Sequence, residues 1–189
     1  MNELKDLEYR KVALRGEFDH SRELYVMPRP SQGDRKKSGL KGHDSGVHVI
    51  TPFRLMDRNM TILVNRGWVP REHKDPKTRE QGQAKGEVDL VAVVRRTEPR
   101  QSFAPHNIPE KNQWYHRDVE AMSQYLGTEP YFVDADQGST SFGGPLGGQT
   151  RVSLRNEHVS YIFTWFTLAG FTSMMWWRRY GPALRSIAR

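Results

Sequence analysis

The run VSYIFTWFTLAGFTSMMWW, from Val159 to Trp177, constrains this chain more than any other stretch. It holds no charged residue and no proline. Its length is close to the roughly 20 residues that a helix needs to cross a bilayer core. Tyr161 lies near one end and Trp176, Trp177 and Tyr180 near the other, where amphipathic rings favour the headgroup layer. A buried core helix of this length would ordinarily turn a charged position to water, and an interfacial helix would need a charged face. The pattern therefore predicts a transmembrane helix over residues 156–180. Arg178, Arg179, Arg185 and Arg189 follow it with no acid among them. Arginine beyond a span favours the cytoplasmic or matrix side, which places everything before Asn156 on the opposite side.

At 189 residues the chain has room for one ordinary domain and such an anchor. The reading is a soluble domain over residues 1–155, the helix over 156–180 and a basic tail over 181–189. The chain has no cysteine, which excludes disulfides, thiolate zinc sites and a thiol nucleophile. Its formal charge is +7. Apart from Arg35-Lys36-Lys37 the basic residues are scattered, as suits a surface near anionic lipid. The start, Met-Asn-Glu-Leu-Lys-Asp, resembles neither a secretory signal nor a transit peptide.

The soluble part reads as mainly β. Val12, Leu14, Gly16 and Phe18 alternate with polar residues, the mark of a half-buried strand. Further strands are expected at 24–27, 47–55, 61–64, 88–94, 131–133 and 150–155. Residues 28–45, rich in Pro, Gly and Lys/Arg, read as a mobile loop. Asn65-Arg66-Gly67 reads as a turn, and residues 71–86 as a loop or frayed helix. One short helix is expected from Asp118 to Leu126, with Asp118 at its N-terminus and Gly127 at its C-cap. Short strands, one helix and polar turns imply an antiparallel sheet or partly closed barrel.

No nucleophile elbow, P-loop, zinc-protease helix or dinucleotide fingerprint occurs, so no enzymatic role is expected. The stretch from Gly143 to Gly148 has backbone suited to an anion but no following Lys-Ser/Thr, and reads as an ordinary loop. Asp134 and Asp136 are explained by a strand-end turn. Of the seven histidines, His158 stands apart. It follows Asn156, a good N-cap, and Glu157, and Trp165 lies on the same helical face. A histidine at a lipid boundary beside an aromatic wall can ligate haem iron. From position alone, a hydrogen bond to headgroups or to the domain is the favoured reading.

Several stretches together resemble a known family. They are Arg15 to His20, Ile62-Leu63-Val64-Asn65-Arg66-Gly67-Trp68-Val69-Pro70, Gly144 to Val152, and Arg155-Asn156-Glu157-His158 with Tyr161 and Thr164-Trp165. Glu87-Val88-Asp89-Leu90 and Asn112 to Asp118 add to them. These look like the Surfeit locus protein 1 family, and closer to its animal mitochondrial members than to its bacterial ones. The resemblance implies an assembly factor, or chaperone, for cytochrome c oxidase in the mitochondrial inner membrane. It would act early, around the haem-bearing largest subunit, with its domain in the intermembrane space. The implied partners are oxidase subunits, other assembly factors and membrane lipid. Haem a is the implied cofactor, with His158 at the family's helix histidine and Trp165 beside it. A targeting segment and a first membrane helix, both expected of the family, are not found upstream. The chain is then read as a fragment, an alternative product or a truncated gene model. Two alternatives stay open: a cofactor-free scaffold, and a basic oligonucleotide-binding barrel. The second lacks aromatics clustered on a basic strand face, so no nucleic-acid partner is expected.

Overall fold

The structure is a computed structural model that describes residues 7–31, 45–100, 102–150 and 158–187. It divides into two compact units, Met1–Thr150 and Arg151–Arg189. The first unit contains six strands: β1 (Lys11–Phe18), β2 (Leu24–Pro30), β3 (Ser45–Leu55), β4 (Thr61–Pro70), β5 (Glu87–Arg95) and β6 (Phe132–Ala135). Helix α1 (Val119–Leu126) lies between β5 and β6 in the chain.

The sheet order is β1-β5-β6-β4-β3-β2, and β1 pairs with β3 as well. That last pairing closes five strands into a barrel and leaves β2 as a flap along β3. All pairings are antiparallel except β4 with β6. The mainly β, partly closed barrel expected from the strand pattern is what forms. Five-stranded Greek-key barrels include the oligonucleotide-binding fold, but a shared architecture carries no function by itself.

The strands supply two cores because their alternate residues face opposite ways. Val64 and Ile62 of β4, Val133 and Ala135 of β6, Leu90 and Ala92 of β5 and Phe53 of β3 fill the barrel. Val12, Leu14 and Phe18 of β1 pack against them, as the alternation predicts. Leu63 and Phe132 point the other way. They meet Val119, Met122 and Leu126 of α1, together with Leu24, Val26, Ile50 and Trp114. Helix α1 is built as its sequence implies. The Asp118 carboxylate accepts from the Ala121 N–H at 3.0 Å. Gly127 ends it in the left-handed region at φ 64°, where glycine has no Cβ penalty.

Three expectations are corrected. Asn65-Arg66-Gly67 is not a turn, since β4 runs unbroken from Thr61 to Pro70. Ile50 pairs with Asn65 and Val49 with Gly67, so Arg66 is the extra residue of a β-bulge. Strand β2 does not stop at Pro28 but continues to Pro30, irregular between Val26 and Arg29. Prolines are tolerated there because β2 is the edge of the sheet. Residues 28–30 and 45 are thus strand rather than loop, and the rest of the expected loop, 32–44, lies outside the described residues. Residues 71–86 hold two 3-10 segments, Arg71–His73 and Pro76–Gly82. Of the expected strand at 150–155, residues 151–155 lie outside the described residues.

Pro52 sits inside β3 without penalty. Pairing of β3 with β2 has ended by Ile50, and pairing with β1 begins at Phe53. The missing N–H therefore falls in the gap between two neighbours.

The second unit contains helix α2 (His158–Ile187), 30 residues long. It continues past Tyr180 through Gly181 and Pro182. Its described side chains from Val159 to Tyr180 are exposed. Among the described residues no helix is long and apolar enough to cross a membrane. At 30 residues α2 falls short in apolarity, which Tyr161, Trp165, Trp176, Trp177 and the interspersed Ser and Thr hold down.

Candidate functional site

Three of the stretches that carry the family resemblance converge on the β4 bulge. Bulging Arg66 out of register turns its guanidinium into the protein, where it is almost wholly buried. Its Nη2 donates to the Gly82 carbonyl at 2.5 Å and its Nη1 to Gln83 Oε1 at 3.0 Å. The same Nη1 lies 3.5 Å from Glu23 Oε1 and 3.3 Å from His20 Nδ1. Arg79 reaches the cluster from the second 3-10 segment, with Nη2 2.5 Å from Glu23 Oε2. The Arg79 and Glu23 side chains are 0% and 2% exposed. Tyr25 donates its hydroxyl to Glu23 Oε2 at 3.0 Å.

Burial works against the charged form of Glu23. The hydrogen bonds from His20 and Arg79 and the charges of Arg79 and Arg66 outweigh it, holding the carboxyl down at about 2. Burial lowers Arg66 to about 10, against the pull of Glu23. Both stay ionised at neutral pH. The acid is matched by two arginines, so the cluster carries a net positive charge inside the domain.

The glycine-rich stretch 143–148 is packed against this bulge. Trp68 and Leu146 exchange backbone hydrogen bonds, N–H to O at 2.9 and 2.8 Å. Gly67 has φ 128°, and a Cβ there would lie 2.0 Å from the Leu146 carbonyl oxygen. A Cβ on Gly82 would lie 2.1 Å from Gly144 Cα. These glycines serve close backbone packing rather than anion binding.

Next along β4, Asn65 Nδ2 donates to Asp134 Oδ1 at 2.8 Å, and its Oδ1 accepts from Gly67 N–H at 3.1 Å. Asp134 Oδ2 accepts from Thr150 Oγ1 at 3.0 Å and lies 3.3 Å from Arg95 Nη1. Thr150 is thereby tied to the barrel at the last residue of the first unit. The two acids read as a strand-end pair therefore part company. Asp134 is buried in this network, and Asp136 sits at the surface 3.1 Å from Lys11 Nζ.

Among the described residues no group of three or more histidines and acids is placed to hold a metal. His158 is the first residue of α2, but its side chain lies outside the described residues, as do Asn156 and Glu157. Trp165, 65% exposed, and Phe166, 76% exposed, form an open apolar surface. A haem needs an apolar wall and an axial donor. The chemistry of α2 offers a wall at Trp165 and a nitrogen-bearing residue two turns before it, so the residue types fit. The described part of α2 does not itself enclose a ring.

Sequence reasoning found the segments but missed the buried charges. Arg79 stands in a polar stretch that reads as solvated, and no local pattern marks it as interior. His48 was passed over too. Its Nε2 is sealed from solvent with no hydrogen-bond partner among the described residues. Burial, then the charges of Arg29 and Arg117, push it down to about 3.

The model of the SURF1 family matches residues 1–170. The chain belongs to the SURF1 family. It is 55% identical over 182 residues to Surfeit locus protein 1 of Mus musculus, covering 94% of this chain and 60% of that one. Identity to Surfeit locus protein 1 of Homo sapiens is 53% over 183 residues, covering 94% and 61%. The SURF1-like protein of Caenorhabditis elegans is 42% identical over 182 residues, covering 92% and 56%. The chain thus spans about 60% of the length of its mammalian relatives. The SURF1 match takes in the whole barrel, the bulge cluster and the first turns of α2, His158 and Trp165 included.

Proposed function

We propose that this chain is an assembly factor for cytochrome c oxidase, anchored in the mitochondrial inner membrane by α2. Membership of the SURF1 family is the observation that carries the reading. Helix α2 falls short of a membrane span in overall apolarity, and the anchor rests instead on its missing charges and the residues at its end. It has no charge from Val159 to Trp177 and ends in Trp176, Trp177 and Tyr180 beside Arg178 and Arg179, the order of a membrane boundary. In this reading the barrel faces the intermembrane space and Arg178 the matrix. The barrel acts early, on the haem-bearing largest oxidase subunit and its other assembly factors.

Haem a is part of the proposal. His158 would offer the iron a nitrogen and Trp165 an apolar wall. The bound group would bring the redox-active iron the oxidase requires. The competing form of the same reading is a scaffold that holds the subunit and binds no cofactor.

The test is affinity purification of the tagged chain from mitochondria during synthesis of the largest oxidase subunit. Recovery of that subunit in early intermediates is expected. Recovery no greater than with an unrelated inner-membrane protein overturns the assembly role. Protease added to mitoplasts should digest the barrel, and carbonate should leave the chain in the membrane. Protection of the barrel, or carbonate extraction, overturns the anchoring. A His158→Ala chain of normal abundance that loses the haem a absorbance of the purified material supports the ligand role. Unchanged absorbance leaves the scaffold.

A further inference from the structure

A cleft of about 410 Å³ opens on the β2–β3 side of the barrel. Its floor is apolar, made by Tyr25, Met27 and Val47. Tyr25 and Met27 pack on Val47, Val49 and Val69, a cluster separate from both larger cores. Among the described residues the charged side chains lining the cleft are Arg71 and Lys74, both basic. Neither has an acidic partner among the described residues. Asn112 and Gln113 also line it; Asn112 Oδ1 accepts from Trp114 Nε1 at 2.9 Å, which leaves the Asn112 NH2 and the Gln113 amide to meet a guest.

The floor is held rigid from beneath. The Tyr25 hydroxyl is bonded to Glu23 in the buried charge cluster. Its ring carries Lys74 Nζ 5.1 Å from its centroid, a cation–π distance. Lys74 is therefore held over the cleft rather than free in solvent. Asp75, the nearest acid in sequence after Lys74, is turned to the N–H of Lys77 and caps the next 3-10 segment. The acids of this stretch do not line the cleft.

Strand addition is not available here. Met27 N–H is bonded to the Trp114 carbonyl, and Pro28 and Pro30 have no N–H to give. A guest must be recognised through side chains. An apolar floor, two cations without acidic partners and two side-chain amides together match one apolar side chain flanked by carboxylates.

We infer that this cleft docks a short acidic peptide segment of a partner protein, with one aliphatic or aromatic anchor on Tyr25 and Met27. The peptide's carboxylates pair with Arg71 and Lys74, and its backbone meets Asn112 and Gln113. The amides favour a peptide over an acyl chain, which has nothing to offer them. The inference does not depend on the oxidase reading.

The full chain in maltoside detergent is titrated with a fluorescein-labelled heptapeptide carrying one leucine between glutamates. A peptide with lysine in place of glutamate, and soluble dihexanoyl phosphatidylglycerol as competitor, complete the set. The acidic peptide should bind roughly tenfold or more tighter than the lysine peptide, and binding should weaken as salt rises. The surface pair R71E/K74E should lose that preference while its unfolding temperature is unchanged. Met27→Ser should weaken binding with both cations in place. Equal binding of the two peptides, or full binding by R71E/K74E, overturns the inference. Displacement of the peptide by phosphatidylglycerol at lower concentration than by unlabelled peptide also overturns it and assigns the cleft to anionic lipid.

Discussion

Arg79 and Glu23 lie 56 positions apart in the chain, yet Arg79 Nη2 is 2.5 Å from Glu23 Oε2, and neither side chain meets solvent. The pair ties the 3-10 segment after β4 to the start of β2. Replacing Arg79 by Met removes one partner and leaves a buried carboxylate matched by fewer donors. Loss of about 3–5 kcal/mol is expected in urea unfolding. A loss below about 1 kcal/mol would show that Arg66 and His20 compensate fully.

His48 gives the domain an acid sensitivity that begins near neutrality. Its ring is neutral in the fold, held down at about 3, and regains its ordinary value of 6.5 on unfolding. Between these values the unfolded chain binds the extra proton. The contribution is therefore complete above about pH 6.5 and declines as pH falls towards 3. The carboxyl of Glu23 is also depressed, but its contribution is lost only below its ordinary 4.5, towards about 2. From pH 7 to pH 5, His48→Gln should flatten the fall in stability by at most about 2 kcal/mol. Parallel unfolding curves for the two proteins across that range would contradict this.

Gly67→Ala should be severe. The residue has φ 128°, and its Cβ would meet the Leu146 carbonyl. A cost of roughly 2–4 kcal/mol is expected from strain and displacement together. Amide exchange should accelerate first at Leu146 and Trp68, which bond each other's backbones. Unchanged exchange there would mean that the bulge tolerates a side chain.

Thr150→Val removes the hydroxyl that holds Asp134 Oδ2 at 3.0 Å. About 1 kcal/mol of stability should go, with faster proteolytic cutting just after residue 150. Equal cutting rates would show that the hydroxyl does not moor this end of the barrel.

The sequence made the regular parts of the domain readable because their physics is local. Val12, Leu14 and Phe18 alternate with polar residues, and Asp118 and Gly127 bracket α1. The bulge was misread because turns and bulges ask the same of a sequence: an Asn whose side chain bonds a nearby N–H, and a glycine at positive φ. Asn65 and Gly67 do both, and only pairing with β3 tells the two apart. Pro28 and Pro30 looked like a strand's end for a similar reason, since an edge position depends on which strands lie beside it. Arg79 was beyond reach. Its burial depends on an acid far away in the chain, and a lone arginine in a polar stretch gives no hint of one. For the site, the His158 and Trp165 reading comes from helical spacing and family resemblance, and the cleft beside Tyr25 from packing alone.

The pairing of β1 with β3 closes the barrel through three positions: Gly16 with Leu55, Glu17 with Arg54 and Phe18 with Phe53. Its neighbours are far longer, with seven paired positions between β1 and β5 and nine between β3 and β4. The join of β4 with β6 is equally short, at three positions, so a hoop with two short clasps parts at those two. If the wall is stretched, β1 should come away with β5 as a leaf while β3 and β4 stay zipped together. Phe18 and Phe53, whose tilted rings meet with centroids 4.7 Å apart across that join, are the rings that would see water first.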